Sequence, residues 1–304
     1  MADRSPYNFT TNWRVTPPGP AVQSRPAPPA RTTASAEKLA WLLGVLEAQR
    51  ALATTTIPRE RRITPEAFLD RHYAANWPLL LEDALEGWPA LERWTPAYLK
   101  GVIGSAEVQV QANRAADEDY ERRMPDHSER MAFDVFIDRI TSAAGNDLYL
   151  TAYNAAANAD ALAPLHADLG FLDALLDPRG GAPRGMMWIG PAGTFTPLHH
   201  DLTNNLLLQL VGRKELLLVS PSETPKLYND HHVYSGVRDL DGAEVTARFP
   251  DLAGVRVHRV TMNPGDALFI PIGWWHQVRA LDFSVTITHT NFRWPNDLHV
   301  GHPS

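Results

Sequence analysis

Between residues 185 and 292 the chain carries only short apolar segments: "MMWIG", "NLLLQL", "KELLLVS", "VRVHRV", "ALFIPI", "HQVRAL" and "FSVTITHTNF". Each is cut off by Gly, Pro, Asn or Asp, and no helical pattern lies between them. Segments of this length cannot bury the face of a helix, so the pattern predicts an all-β sandwich or barrel. One loop of size, 220 to 254, separates its two halves, and no internal repeat is present.

Upstream the texture differs. Residues 1 to 35 hold seven of the 25 prolines within the first thirty positions and almost no apolar periodicity, which predicts a disordered tail. In 36 to 53, Leu39, Leu42, Leu43 and Leu46 recur at i, i+3, i+4 and i+7, one face of an amphipathic helix whose partner is the barrel or a second subunit. Thr64-Pro65 and Thr95-Pro96 place a capping hydroxyl before a proline suited to a first helical turn, so helices should begin near 65 and 96. Between them, "WPLLLEDALEGWPALERW" reads as a short buried strand and a Trp-rich turn. Helices are expected over "AFDVFIDRI" and over 160 to 177, ending before Pro178. The organisation is a tail at 1 to 35 and a single domain at 36 to 304. That domain has a helical and mixed part to 180 and a strand-rich core at 185 to 295.

Composition narrows the chemistry. With no cysteine, disulfides, thiolate metal sites and cysteine nucleophiles are excluded, so any metal is held by imidazole and carboxylate. A net charge of -7 and no basic block longer than "RERR" at 59 to 62 disfavour a nucleic-acid partner. No apolar run is long enough to span a membrane and no secretory signal opens the chain, so the expected location is the cytoplasm.

Two imidazoles and one carboxylate on one face of an iron ion leave adjacent positions open for a cosubstrate and dioxygen. A His-x-Asp pair on a strand supplies two such ligands, because residues i and i+2 share a side of the pleat. With 12 histidines and 21 aspartates in 304 residues, random placement gives about one such pair, and this chain has two. His166 and Asp168 lie in a helical pattern, where i and i+2 diverge by about 200° and cannot share an ion. His199 and Asp201 follow "GTFTPL" at a strand end, before an apolar hairpin. A third ligand comes about 75 residues later, where "NPGDALFIPIGWWHQV" delivers His276 into a strand. His200 should face away from its neighbours as a structural residue, and His289 is a weaker competitor for the third position. Trp188, Trp274 and Trp275 read as core. Lys214, in the apolar strand "GRKELLLV", needs an anionic partner if its ammonium is buried.

"TPLHHD", "LVGRKELLLVSP", "PGDALFIPIGWWHQV" and "TITHTNFRW" together resemble the cupin-like branch of the JmjC oxygenases, its asparaginyl hydroxylases above all, over about 57 to 295. The resemblance implies a fold that is mainly β with flanking helices, a double-stranded β-helix or jelly-roll. It implies iron(II) held by His199, Asp201 and His276, with 2-oxoglutarate as cosubstrate and dioxygen as oxidant. The far carboxylate of the cosubstrate would be held by Lys214, Thr196 and Tyr149, for which Tyr153 competes, and its metal-proximal end by Asn205 and Asn291. Hydroxylation of a C–H bond on a protein or peptide side chain would then accompany decarboxylation of 2-oxoglutarate to succinate. A small metabolite is the alternative substrate, and a non-catalytic interaction module the alternative role. Metal cupins that work without 2-oxoglutarate usually lack a lysine at the position of Lys214. The helices with which such hydroxylases dimerise have no counterpart after Trp294, so a homodimer here would use the helix at 36 to 53. Arg238 and the loop 220 to 254 are expected to border the substrate.

Overall fold

The computed structural model describes residues 33–53, 56–179, 184–300 and 302. The expected tail at 1–35 lies outside them except for its last three residues, which open the first helix. In chain order α1 (Thr33–Ala53) is followed by β1 (Arg59–Glu60), α2 (Pro65–Phe68), β2 (Leu79–Leu81), α3 (Pro89–Arg93), α4 (Pro96–Ile103), β3 (Glu107–Gln111), β4 (Ser128–Ala132), α5 (Phe133–Ser142) and α6 (Ala159–Leu162). Then come β5 (Met186–Gly190), β6 (Phe195–His200), β7 (Asn205–Val211), β8 (Lys214–Val219), β9 (Asn229–His231), β10 (Tyr234–Ser235), α7 (Val245–Arg248), β11 (Val257–Met262), β12 (Ala267–Ile270), β13 (Trp275–Ala280) and β14 (Ser284–His289).

The capping signals act as expected. The Thr64 and Thr95 hydroxyls accept from the Ala67 and Tyr98 amides, each with a proline at the start of the helix.

The strands form two six-stranded sheets in the orders β1-β2-β12-β7-β14-β5 and β11-β8-β13-β6-β10-β9, with β3 and β4 apart as a pair. All pairings in the large sheets are antiparallel except β1 with β2. This is the jelly-roll that the resemblance implied, and it fits the sandwich or barrel expected from the short segments.

Strand alternation sorts the side chains into three apolar layers. Leu206, Leu208, Phe269 and Ile287 pack outward against Phe68, Trp94, Phe133 and Phe136 of the helical part. Leu80, Leu268 and Ile270 of the first sheet meet Leu216, Leu218, Val260 and Met262 of the second, with Trp274 among them. On the outer face of the second sheet, Leu198, Val219 and Trp275 lie beneath Leu227, Val237 and Leu252. The tryptophans at 274 and 275 are thus core, but in two different layers, because consecutive strand residues point opposite ways.

Four expectations are corrected. The stretch 160 to 177 is helical only through Ala159–Leu162 and a 3-10 segment, Ala163–Asp168, since Pro164 and Gly170 interrupt it. The region 220 to 254 is not a bare loop, because β9 and β10 within it extend the second sheet beside β6. The Trp-rich turn after β2 contains α3. Finally, of the two partners expected for the leucine face of α1, the barrel takes only Leu43, while Leu39, Leu42 and Leu46 are exposed. The helix docks by polar groups instead. Glu47 is buried, and the Arg50 guanidinium donates to the Ser220 hydroxyl at 3.0 Å and lies over the Trp77 ring.

Candidate metal centre

His199 and His276 lie opposite one another on paired strands β6 and β13, both buried, with ring centroids 4.2 Å apart. Asp201 follows the end of β6. One of its carboxylate oxygens is 4.0 Å from His199 Nε2 and the other 3.5 Å from His276 Nε2. Among the described residues this is the one group of three His, Asp or Glu side chains whose ligand atoms lie within 4.8 Å of one another.

The two imidazoles are fixed in the same way. His199 Nδ1 bonds the Pro197 carbonyl at 2.8 Å, and His276 Nδ1 bonds the Trp274 carbonyl at 2.9 Å. A backbone carbonyl accepts only from a protonated nitrogen, so each Nε2 keeps its lone pair and faces the centre, as a metal ligand requires. Burial, and next the neighbouring His276, lower the His199 pKa and favour the neutral ring. Asp201 is oriented by the Asn205 amide, which donates to its Oδ2, while Thr203 donates to Asn205 Oδ1 at 3.4 Å. The turn before His276 is tied to the same place. Gly273, at φ 80°, donates its N–H to the Asp201 carbonyl at 3.1 Å, and Ile272 donates to Asn204 Oδ1 at 2.9 Å. Two imidazoles and a carboxylate converging in this way suit a divalent transition metal.

A second set lies further along the same face. Lys214 starts β8 opposite Ala280 and shares its side of the strand with Leu216 and Leu218, so it points between the sheets. Its ammonium is buried and donates to the Tyr149 hydroxyl at 3.1 Å. Among the described residues it has no carboxylate partner. Burial pushes its pKa down to about 7 and raises that of Tyr149. Gly190 makes room for Tyr149, since a Cβ there would lie 2.6 Å from the ring.

Thr196 comes to the same face through a bulge. His199 faces His276, yet Thr196 faces Val278, so three steps on β6 match two on β13. A regular strand would turn residues 196 and 199 to opposite sides, and the extra residue returns both to the interior. From His276 to Lys214 the ladder runs four residues, about 13 Å, a span that a lysine stem and a five-carbon dicarboxylate fill together.

Two sequence candidates stay outside. Asn291 continues the alternation of Ile287 and His289 toward the helical layer. Its amide donates to the Asp177 carbonyl at 2.8 Å and its oxygen bonds His289 Nδ1. His289 itself lies edge-on to Phe171 and is no ligand of the centre. His200 turns outward onto Trp275, as alternation requires. Tyr149, and not Tyr153, meets Lys214.

Residues that sequence reading missed surround the site. Tyr234 on β10 pairs with His199 and donates to the Glu121 carbonyl. Arg114 and Glu121 form a buried ion pair at 2.6 Å. A cavity of about 110 Å³ is lined by Asp119, Glu121, Arg122, Pro197, Tyr234 and Arg238 among others. In the charged stretch "NRAADEDYERR" no pattern separates Arg114 from its exposed neighbours.

A jelly-roll with a His-x-Asp pair and a distal histidine defines a class, the metal-dependent cupin-type dioxygenases that work with Fe(II), 2-oxoglutarate and dioxygen. Comparison narrows it further: the family model described as "Cupin-like domain" matches residues 65–297, and the chain belongs to that family. It is 30% identical over 240 residues to lysine-specific demethylase 8 of Xenopus tropicalis, covering 77% of this chain and 52% of that one. It is 30% identical over 246 residues to Jumonji C domain-containing protein 5 of Drosophila melanogaster, covering 78% and 60%. With tRNA wybutosine-synthesizing protein 5 of Gallus gallus it shares 27% over 252 residues, covering 79% and 78%. The chain therefore spans little more than half the length of the first two relatives. No helix among the described residues is long and apolar enough to cross a membrane.

Proposed function

We propose that this chain is an Fe(II)- and 2-oxoglutarate-dependent dioxygenase that hydroxylates a C–H bond of a protein or peptide side chain. One oxygen atom of O2 enters the substrate as hydroxyl and the other enters succinate, with release of carbon dioxide. Iron, held by His199, Asp201 and His276, would supply the activation of dioxygen. The carrying observation is the buried Lys214 ammonium, aimed between the sheets about 13 Å of strand from the triad and without a carboxylate partner among the described residues. A buried cation of this kind calls for an anion, and a dicarboxylate reaching from Lys214 to the metal supplies it.

The chain's own residues hold and orient. Lys214, Tyr149 and Thr196 take the far carboxylate. The Pro197 and Trp274 carbonyls keep both imidazoles in the metal-binding tautomer, and Asn205 keeps Asp201 turned inward. The apolar layer around Leu216, Leu218 and Trp274 excludes water from one side of the site. Support for a protein substrate comes from relatives named as lysine-specific demethylases and from a chain charge of -7, which favours a basic segment.

The test is anaerobic addition of Fe(II) and 2-oxoglutarate to the protein. A weak visible charge-transfer band is expected with the wild type and none with His199→Ala. A wild type without the band overturns the reading. Succinate release above the uncoupled background is then compared across basic peptides, free amino acids and tRNA. Stimulation by peptides is the expected result, and stimulation by another class alone overturns the substrate assignment.

A further inference from the structure

Resting on the 2-oxoglutarate reading, we propose that Arg114 is a positioning residue for that cosubstrate, acting through Tyr149 and through the β6 peptide that carries Thr196. Arg114 is 2% exposed although it sits in a charge-rich stretch. Its Nη2 donates to Glu121 Oε1 at 2.6 Å and to the Phe195 carbonyl at 3.2 Å. Its guanidinium carbon lies 4.3 Å from the Tyr120 ring centre and 5.0 Å from that of Tyr149. The Tyr120 hydroxyl donates to the same Phe195 carbonyl at 2.8 Å. The Arg114 backbone is tied to the same segment, since its N–H donates to the Asp147 carbonyl, and Gln111 and Tyr149 exchange backbone bonds of 2.7 and 2.8 Å.

The arrangement serves two anchors at once. The guanidinium packs against the ring of Tyr149 while Lys214 holds its hydroxyl, so one tyrosine lies between two buried cations. Two donors on the Phe195 carbonyl fix the peptide from which Thr196 projects, at the start of the bulge. A buried ion pair with only a packing role is usually replaceable by apolar residues without loss of stability. Around Tyr149 stand two basic side chains, Lys214 and Arg114, and among the described residues Arg114 is paired with Glu121 while Lys214 has no carboxylate partner. Arg114 Nη1 is also buried and without a hydrogen-bond partner. This end of the interior is therefore prepared for one further negative charge, which the far carboxylate brings.

The experiment measures the 2-oxoglutarate dissociation constant of the full chain anaerobically through the charge-transfer band, together with Fe(II) affinity and melting temperature. Arg114→Met should weaken 2-oxoglutarate about tenfold and leave iron affinity unchanged. Arg114→Lys, which keeps the charge but not the planar fork, should recover only part of the loss. Losses in Arg114→Met and Tyr149→Phe should multiply only in part in the double variant, because the two share the Tyr149 anchor while Arg114 also holds the Phe195 peptide. An unchanged dissociation constant with a lowered melting temperature, or fully multiplicative losses, would falsify the proposal. Should Arg114→Met not fold, Tyr120→Phe decides. It removes one of the two donors to Phe195, and a few-fold weakening is expected, whereas wild-type affinity sinks the idea. A wild type with no band removes the cosubstrate reading and this inference together; a normal band whose 2-oxoglutarate dependence is the same in Arg114→Met removes only this inference.

Discussion

The chain holds His-x-Asp twice, at 166–168 and at 199–201, and the two pairs have come to opposite ends. Asp168 sits at the end of a 3-10 segment with both oxygens engaged, accepting from Arg93 at 2.8 Å, Trp94 at 3.0 Å and Tyr98 at 2.7 Å. Burial alone would raise its pKa, but the bonds from Tyr98, Trp94 and Arg93 outweigh it and hold the carboxyl below its ordinary value. His166 bonds the Ala163 carbonyl of its own turn. Asp168 knits α3 and α4 to the 3-10 segment, and among the described residues no third metal-binding side chain joins this pair. At 199–201, strand geometry turns His199 inward, Asp201 follows the strand end, and β13 brings His276 opposite. The same dipeptide spacing thus serves packing in one place and ligation in the other. What differs is the backbone beneath it and the strand beside it.

Substitutions can break this contrast. Replacing His199, Asp201 or His276 by alanine should lower Fe(II) affinity by more than about 100-fold, read by metal competition, whereas Asp168→Ala should leave it unchanged. Comparable losses from both pairs would erase the distinction. Lys214→Met should weaken 2-oxoglutarate about 100-fold in the anaerobic titration while leaving melting temperature level or higher, because a buried ammonium is removed. Asp168→Ala, by stranding the Trp94 and Tyr98 donors, should lower unfolding free energy by about 2 kcal/mol in a denaturant titration. Asn205→Ala should reduce iron affinity about tenfold through a misdirected Asp201, a smaller effect than loss of a ligand.

The pH dependence is the finest test. Lys214 has a folded pKa of about 7 against 10.5 for an ordinary lysine. Between those values the unfolded chain holds the extra proton, so this residue makes stability rise with pH across that window and leaves it flat below 7. Binding of a carboxylate requires the ammonium. Affinity for 2-oxoglutarate should therefore be level below about pH 7 and fall by up to tenfold per unit above it, as the lysine of the free protein loses its proton. Lys214→Met should abolish that slope, and a slope that survives would assign the titration elsewhere.

Much of the molecule was readable in advance, because short-range periodicity is a local property. The strand segments outside 220–254, the capped starts of α2 and α4, the rejection of His166 and the pairing of His199 with Asp201 follow from spacing and alternation, and the combined motifs pointed to His276 as the third ligand. The limits of that reading have definite causes. Helical propensity could not show that Pro164 and Gly170 cut short the helix expected over 160–177. Amphipathicity identified the leucine face of α1 but not that Glu47 and Arg50 would make the contact, since docking depends on what lies opposite. Asn291, two residues past β14, looked like a site amide and faces the other layer.

The sequence by itself determined the main strand segments of the core and that His199 and Asp201, at a strand end, could share a metal, since each rests on spacing along one segment. Tertiary structure alone decided that Thr196 and His199 share a face, through a bulge visible only against β13. It also decided that Arg114 from a distant charged stretch closes on Tyr149 and Phe195. Register between strands and contact between remote segments depend on what lies across the gap, and no single segment carries that information.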